Sequence, residues 1–195
     1  MRAPPRWSDQ ELAADANQAR AGFKKMRLDE PLQRWVDTFD VHKAQFEKLL
    51  GEFGLVEPAH LTARRVAELF AEHLDEALRY LTGPPISADD LRVVAETQSL
   101  SSAALSRDKA SAARIAEIIL RTIDPRRFPW VKEKRMPTRQ ERAAAVLASA
   151  ALLAAQKLAT FRRNISKRAQ EQSVKTHLRD VGLKEVNARN IRIFR

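Results

Sequence analysis

A mainly α-helical fold is predicted by three observations. Ala, Leu, Arg, Glu and Lys are abundant, whereas 195 residues include only 5 glycines and 1 tyrosine, a composition that favours helix over strand. Apolar positions recur at steps of three and four over long stretches, and Ser-x-x-Glu or Thr-x-x-Glu helix-start signals precede two of them. The length suits one generous domain or a domain with an appendage, and 44% hydrophobic residues can supply its core. The absence of cysteine excludes disulfides, thiolate metal sites and cysteine nucleophiles, in keeping with a reducing, cytoplasmic setting. Met1–Arg6 leads into no apolar run, so a cleavable secretory signal is not expected.

The elements follow in order. Ser8 and Glu11 have the form of a capping box, each side chain satisfying a free backbone N–H at a helix start, so a first helix is expected from Asp9 to about Met26. Pro31 suits the first turn of a second, where its missing N–H costs nothing. Leu32, Trp35, Val36, Phe39, Phe46, Leu49 and Leu50 then keep helical spacing up to Gly51. Thr62 caps a third helix expected to carry Val66, Leu69, Phe70, Leu74, Leu78 and Leu81 without interruption, until Gly83-Pro84-Pro85 stops it. Ser87 opens another, with Asp89 and Asp90 near the positive end of its dipole, and a further helix is expected from Asp108 to Arg121. Asp124–Pro137 holds three prolines among basic residues, which predicts a loop pinned by Phe128 and Trp130.

Thr138 and Glu141 form a second capping box, and nothing breaks the helical pattern from Arg139 to Gly182. That helix is expected to run about 43 residues, hence about 64 Å at 1.5 Å per residue. Its stretch Ala143–Ala155 is apolar nearly all round, which predicts packing on several sides, while the half after Lys157 is amphipathic and basic. The apolar stretch falls short of the roughly 20 residues of a membrane span, so a membrane partner is not expected. Past Gly182, Val186–Phe194 ends in the alternation Ile191-Arg192-Ile193, a short strand-like tail.

Charge is distributed unevenly. Residues 1–120 carry 16 Lys and Arg against 19 Asp and Glu, and residues 121–195 carry 19 against 6. A localised basic block is what a polyphosphate partner requires, because neutralising phosphates releases condensed counterions. The candidate contacts are Arg162, Arg163, Asn164, Lys167, Arg168, Lys175 and Arg179. Asn164, Arg168, Lys175 and Arg179 fall on one face at steps of 4, 7 and 4, opposite an expected buried face of Leu158, Phe161, Ile165, Ala169 and Leu178. Lys and Arg would follow phosphates, and Asn could reach base edges. Basic amphipathic helices also bind membranes and acidic proteins, so composition alone leaves the partner open.

Other constellations have plainer explanations. Phe128 and Trp130 among cations resemble a base-stacking site, although such aromatics more often anchor a loop to the core. Glu68, Glu72 and Glu76 lie four apart on one helix face, but Arg64 and Arg79 flank them and no facing Glu-x-x-His exists, so an ion-paired surface is expected. Asp37, Asp40 and His42 are read in the same way. Gly-rich phosphate loops, Gly-x-Ser-x-Gly and His-Glu-x-x-His are absent, and Lys132-Glu133-Lys134-Arg135 has Arg where a PD-(D/E)xK nuclease needs Lys. No catalytic motif and no metal-ligating set are visible.

Several uncommon runs occur together: Pro4-Pro5-Arg6-Trp7, Gly83-Pro84-Pro85-Ile86-Ser87 with Asp89-Asp90-Leu91, Arg126-Arg127-Phe128-Pro129-Trp130, Ala144–Gln156 continuing to Arg162-Arg163-Asn164, and Ala169-Gln170-Glu171. In order and spacing the chain from Pro4 to Val186 resembles the XamI-like type II restriction endonucleases. The resemblance implies cleavage of double-stranded DNA at a short sequence with magnesium, beside a protecting methyltransferase. It places the catalytic carboxylates and Glu-x-Lys after the end of this chain, so no catalytic residue and no cofactor are assigned within it. Val186–Arg195 departs from the expected continuation. The expected organisation is then a helical domain at 1–137, a long helix at 138–182 and the start of a truncated nuclease region at 183–195. A homodimer is a further expectation. The competing readings are a self-contained helical nucleic-acid-binding or regulatory protein and a scaffold whose long helix pairs with a partner chain.

Overall fold

The computed structural model describes residues 7–28, 32–51 and 61–183. Among them the regular elements are α1 (Asp9–Leu28), α2 (Leu32–Gly51), α3 (Ala63–Ala71), α4 (Asp75–Arg79), α5 (Ala88–Val94), α6 (Ser102–Arg107), α7 (Lys109–Thr122), α8 (Pro129–Glu133) and α9 (Arg139–Asp180). The strand-like tail and the start of α2 at Pro31 lie outside the described residues.

Most of the described helix starts have a side-chain cap. Glu11 accepts from the Ser8 N–H at 2.7 Å and Ser8 Oγ accepts from the Glu11 N–H at 3.2 Å, the reciprocal box expected at α1. From Trp7 to Lys24 the residues of this segment are exposed. Thr62 accepts from the Arg65 N–H at α3, Ser87 from Asp90 at α5, Ser101 from Ala104 at α6 and Asp108 from Ser111 at α7. Asp108 also ends α6, so one residue turns the chain between two helices. The short α6, unanticipated in the sequence, buries Leu105.

The uninterrupted third helix is corrected: the structure breaks it into α3 and α4. His73 takes a left-handed φ of 57°, its N–H bonding Phe70 O and the Leu74 N–H reaching Leu69 O. This is the 6→1 and 5→2 pairing of a Schellman turn, normally built on glycine. The break allows the six apolar residues of the expected stripe, Val66 to Leu81, all to be buried. The Asp124–Pro137 segment likewise contains the short helix α8, begun by Pro129, and Phe128 and Trp130 are each 1% exposed. They meet edge to face with centroids 5.6 Å apart, and each buried aromatic contributes about 1.5–3 kcal/mol of hydrophobic stabilisation. The anchoring role holds, and stacking on a base does not.

The core gathers Phe46, Leu49 and Leu50 of α2 with Leu69, Leu78, Leu91, Leu105, Ile115, Ile119, Phe128 and Trp130 against α9. Its most connected polar group is Arg127, whose side chain is 12% exposed. The guanidinium donates to Asp124 Oδ2 at 2.7 Å, Tyr80 O at 2.8 Å, Thr82 O at 2.8 Å and Ser149 Oγ at 2.9 Å. It thereby ties the loop after α4, the loop after α7 and α9 together. The Gly83 N–H bonds Thr122 O, and Asp124 N–H bonds Leu81 O, closing the same junction. A Cβ on Gly83 would lie 3.0 Å from Asp124 Cβ, so the two loops meet at a spacing that only glycine permits without a shift. Burial pushes the Asp124 carboxyl up, but the bonds from Arg127 and from the Arg126 N–H outweigh it and hold it below its ordinary value.

Thr138 and Glu141 form the expected capping box of α9, which runs 42 residues, about 63 Å at 1.5 Å per residue. Packing of its apolar half on several sides is corrected. Ala145, Val146, Ser149, Ala150, Leu153, Ala154 and Leu158 are buried, while Leu147 and Leu152, on opposite flanks of that face, are 46% and 40% exposed. By length and composition α9 meets the requirement of a membrane span, as the core helix of a soluble domain also can.

Two outcomes follow from these contacts. Arg127→Ala leaves three buried acceptors and a carboxylate without their donor, and is expected to destabilise by about 3–5 kcal/mol, read as a fall in Tm on the order of 10 °C; an unchanged Tm would remove Arg127 from its central place. Glu141 is held at a pKa of about 2, below 4.5, chiefly by the Arg135 guanidinium and then by the Thr138 N–H. The group is depressed on folding, so its contribution is complete above pH 4.5 and is lost as pH falls toward about 2. Urea unfolding of wild type and Glu141→Gln at pH 7 and pH 3 is expected to show a smaller difference at the lower pH.

Candidate nucleic-acid interface

Leu158 is the last buried residue of α9, and from Ala159 to Asp180 only Arg162 and Ser166 are even half-buried. About 33 Å of helix, at 1.5 Å per residue, therefore extends past the packed core. The expected buried face of this half is corrected: Phe161, Ile165 and Leu178 are 37%, 41% and 42% exposed, and Ala169 is exposed as well. The physical reason is the reach of α2. Its first described turn places the Arg34 guanidinium 3.9 Å above the Phe161 ring, and Trp35 stacks on Phe39 at 6.3 Å. The contacts of α2 on α9 thus cover Phe161 in part.

The candidate residues all lie on this extension, where six Lys and Arg stand against Glu171 and Asp180. Arg163, Asn164, Lys167, Arg168, Lys175 and Arg179 are exposed and Arg162 is half-buried. Arg163 folds back toward its own helix, donating to Ala159 O at 3.4 Å and Thr160 Oγ1 at 3.3 Å, distances long enough for release to a stronger acceptor. Lys167 lies 3.7 Å from Glu171. Arg168 and Arg179 have no ion-pair partner among the described residues.

Spacing fixes the sidedness of the stripe. Ala150, Lys157, Asn164, Arg168, Lys175 and Arg179 succeed one another at steps of 7, 7, 4, 7 and 4, which keeps them on one line of the helix. Ala150 is fully buried in the core. The line that faces the domain in the first half of α9 therefore becomes the line of cations in the second, and the cations look toward the side on which the domain sits. Sequence inspection missed Lys157 as a member of this stripe; the step of seven from Asn164 was the available signal.

The glutamate constellation resolves as a surface network, whereas the surface reading of His42 is corrected, because that residue is buried. Glu68 pairs with Arg64 at 2.8 Å and Arg65 at 3.0 Å, Glu72 with Lys48 at 3.1 Å, and Glu76 with Lys157 at 2.6 Å. His42 is 7% exposed and bonds Gln45 at 2.8 Å, whereas Asp37 accepts from Gln33 at 2.7 Å. No group of three or more His, Cys, Asp or Glu able to hold a metal occurs among the described residues.

A projecting basic helix on a helical domain is compatible with many partners, and relatives narrow the choice. The type II restriction enzyme XamI of Xanthomonas campestris pv. amaranthicola is 43% identical over 186 residues, covering 95% of this chain and 68% of that protein. No solved structure matches. The family model of the XamI restriction endonuclease matches residues 59–195, which takes in the whole of α9 and continues beyond Val186, where a departure was expected. A match over most of the chain that includes the candidate stripe leaves one assignment: this chain belongs to the XamI restriction endonuclease family.

Proposed function

We propose that this chain is the helical DNA-binding lobe of a type II restriction endonuclease, holding double-stranded DNA through the basic half of α9. The observation that supports the reading best is the exposed line Asn164, Arg168, Lys175 and Arg179 on a helix segment clear of the core. From Asn164 to Arg179 the line runs about 22 Å at 1.5 Å per residue, about six to seven phosphate spacings of 3.4 Å along one strand. Arg and Lys at this spacing would set register on the backbone, and Asn164 is the side chain suited to an adenine edge. Arg162, Arg163 and Lys167 flank the line and would add phosphate contacts.

Cleavage requires carboxylates that hold magnesium and a Lys that positions the attacking water. In this proposal those groups lie outside the described residues, in a nuclease region of the complete cytoplasmic enzyme, and the lobe by itself binds duplex without cutting it. A self-contained DNA-binding protein would use the same stripe. A contact with a second copy of the chain is also proposed, for which the exposed Leu147 of α9 is the candidate surface.

Binding of a 20-base-pair duplex should weaken as salt rises, log K falling with log salt at a slope near −0.9 for each phosphate neutralised. Arg163→Glu with Lys167→Glu should reduce affinity by at least tenfold while leaving the fold unchanged by circular dichroism. Salt-independent binding, or full affinity in the double variant, would remove α9 from the interface. For self-association, sedimentation should show a dimer that Leu147→Glu dissociates; a monomer throughout at tens of micromolar would dismiss it.

A further inference from the structure

The cation stripe of α9 has an inner end, and a carboxylate occupies it. Lys157 is seven residues before Asn164 on the same line of the helix, yet its Nζ lies 2.6 Å from Glu76 Oε2 of α4. Both side chains remain open to water, at 44% and 32% exposure. The pair is therefore reachable by an incoming phosphate rather than sealed in the core.

Glu76 does not stand alone. Glu68 of α3 and Glu72 at its C-terminal cap, eight and four residues before Glu76, are engaged by Arg64, Arg65 and Lys48. Of these three acids, Glu76 is the one that meets α9, at Lys157. A phosphate that followed the stripe inward past Asn164 would meet Lys157 already neutralised and Glu76 beside it, so attraction ends there. Glu171 within the stripe is a different case: it pairs with Lys167 of its own helix at 3.7 Å, with both side chains more than half exposed, a contact that water and salt readily loosen.

We infer that Glu76 is a positioning residue that sets the inner boundary of the DNA track, by withholding Lys157 from the phosphate backbone. The inference rests on the DNA-binding reading and adds a register to it: contact begins at Arg163 and Asn164 and runs outward to Arg179. A duplex is thereby kept from sliding along the stripe into the domain.

The test is the salt dependence of duplex binding by wild type, Glu76→Gln, Lys157→Gln, the double variant and Arg168→Gln. Glu76→Gln frees one cation and should tighten binding several-fold at low salt, steepening the slope of log K against log salt by about 0.9. Lys157→Gln alone should change affinity far less than Arg168→Gln, and the double variant should bind like Lys157→Gln, because the gain runs through that lysine. A gain that survives in the Lys157→Gln background would reduce Glu76 to a general field effect and overturn the inference. Equal losses from Lys157→Gln and Arg168→Gln would do so too, by placing Lys157 on a phosphate already. If wild type binds with a normal salt slope and Glu76→Gln is no tighter, the boundary alone falls; if wild type shows no salt-dependent binding, the DNA reading falls with it. Glutamine keeps the shape of Glu76 and removes the charge of Lys157, and circular dichroism checks that each variant folds.

Discussion

The Arg127 guanidinium is the interaction on which the arrangement depends. Four short donor contacts converge on it from three separate stretches of chain, at Tyr80 and Thr82, at Asp124 and at Ser149. Backbone carbonyls buried away from water need donors, and this side chain supplies them where helices alone cannot, between the end of α4 and the end of α7. Because Ser149 belongs to α9, the same group fixes the long helix against the domain. The basic half of α9 continues the same helix without a break, so its direction follows from the first half. A charge held near the core thus determines where exposed charges about 30 Å away are displayed.

Local signals made much of the fold legible. Ser8 with Glu11 and Thr138 with Glu141 announce helix starts because a side-chain acceptor three residues from its donor needs nothing from the rest of the molecule. What escaped were features that only tertiary packing decides. His73 in a left-handed turn carries no glycine signal; it adopts φ 57° so that Leu74 and Leu78 can be buried together with Val66 and Leu69. Arg127 reads in sequence as one of many basic residues in a proline-rich loop, since its partners lie up to 47 positions away. The candidate site was legible in composition and spacing, but its sidedness was not. Phe161 and Ile165 look like a core face at helical spacing, yet they are 37% and 41% exposed, with Arg34 of α2 covering Phe161 in part.

The two halves of α9 use one periodicity for opposite ends. Between Ala145 and Leu158 small and aliphatic residues on the inner line let the helix approach the domain closely, with Ala150, Leu153 and Ala154 wholly buried. From Asn164 onward the same line carries hydrogen-bonding and charged groups, which would be costly to bury and are stable only in water or against an anion. The changeover at Lys157 is where both demands meet, and the pair with Glu76 satisfies them by neutralising a cation too close to the core to be left to a variable partner.

Net charge then acquires a geometric meaning. Most of the surplus belongs to residues 121–195, with 19 Lys and Arg against 6 Asp and Glu, while the α3 and α4 acids are largely consumed in pairs with nearby cations. Screening at physiological salt limits the reach of exposed charge to about 8 Å, so the domain's acids influence the stripe only where α4 touches α9. Outward of that contact the extension behaves as a separate electrostatic body. Its attraction for polyphosphate is therefore governed by the residues within about two turns of each phosphate, not by the formal charge of the chain. In the proposed DNA-binding role, backbone contacts along the rod would not draw DNA across the whole domain, and the point where the proposed track begins would select the bases presented to Asn164.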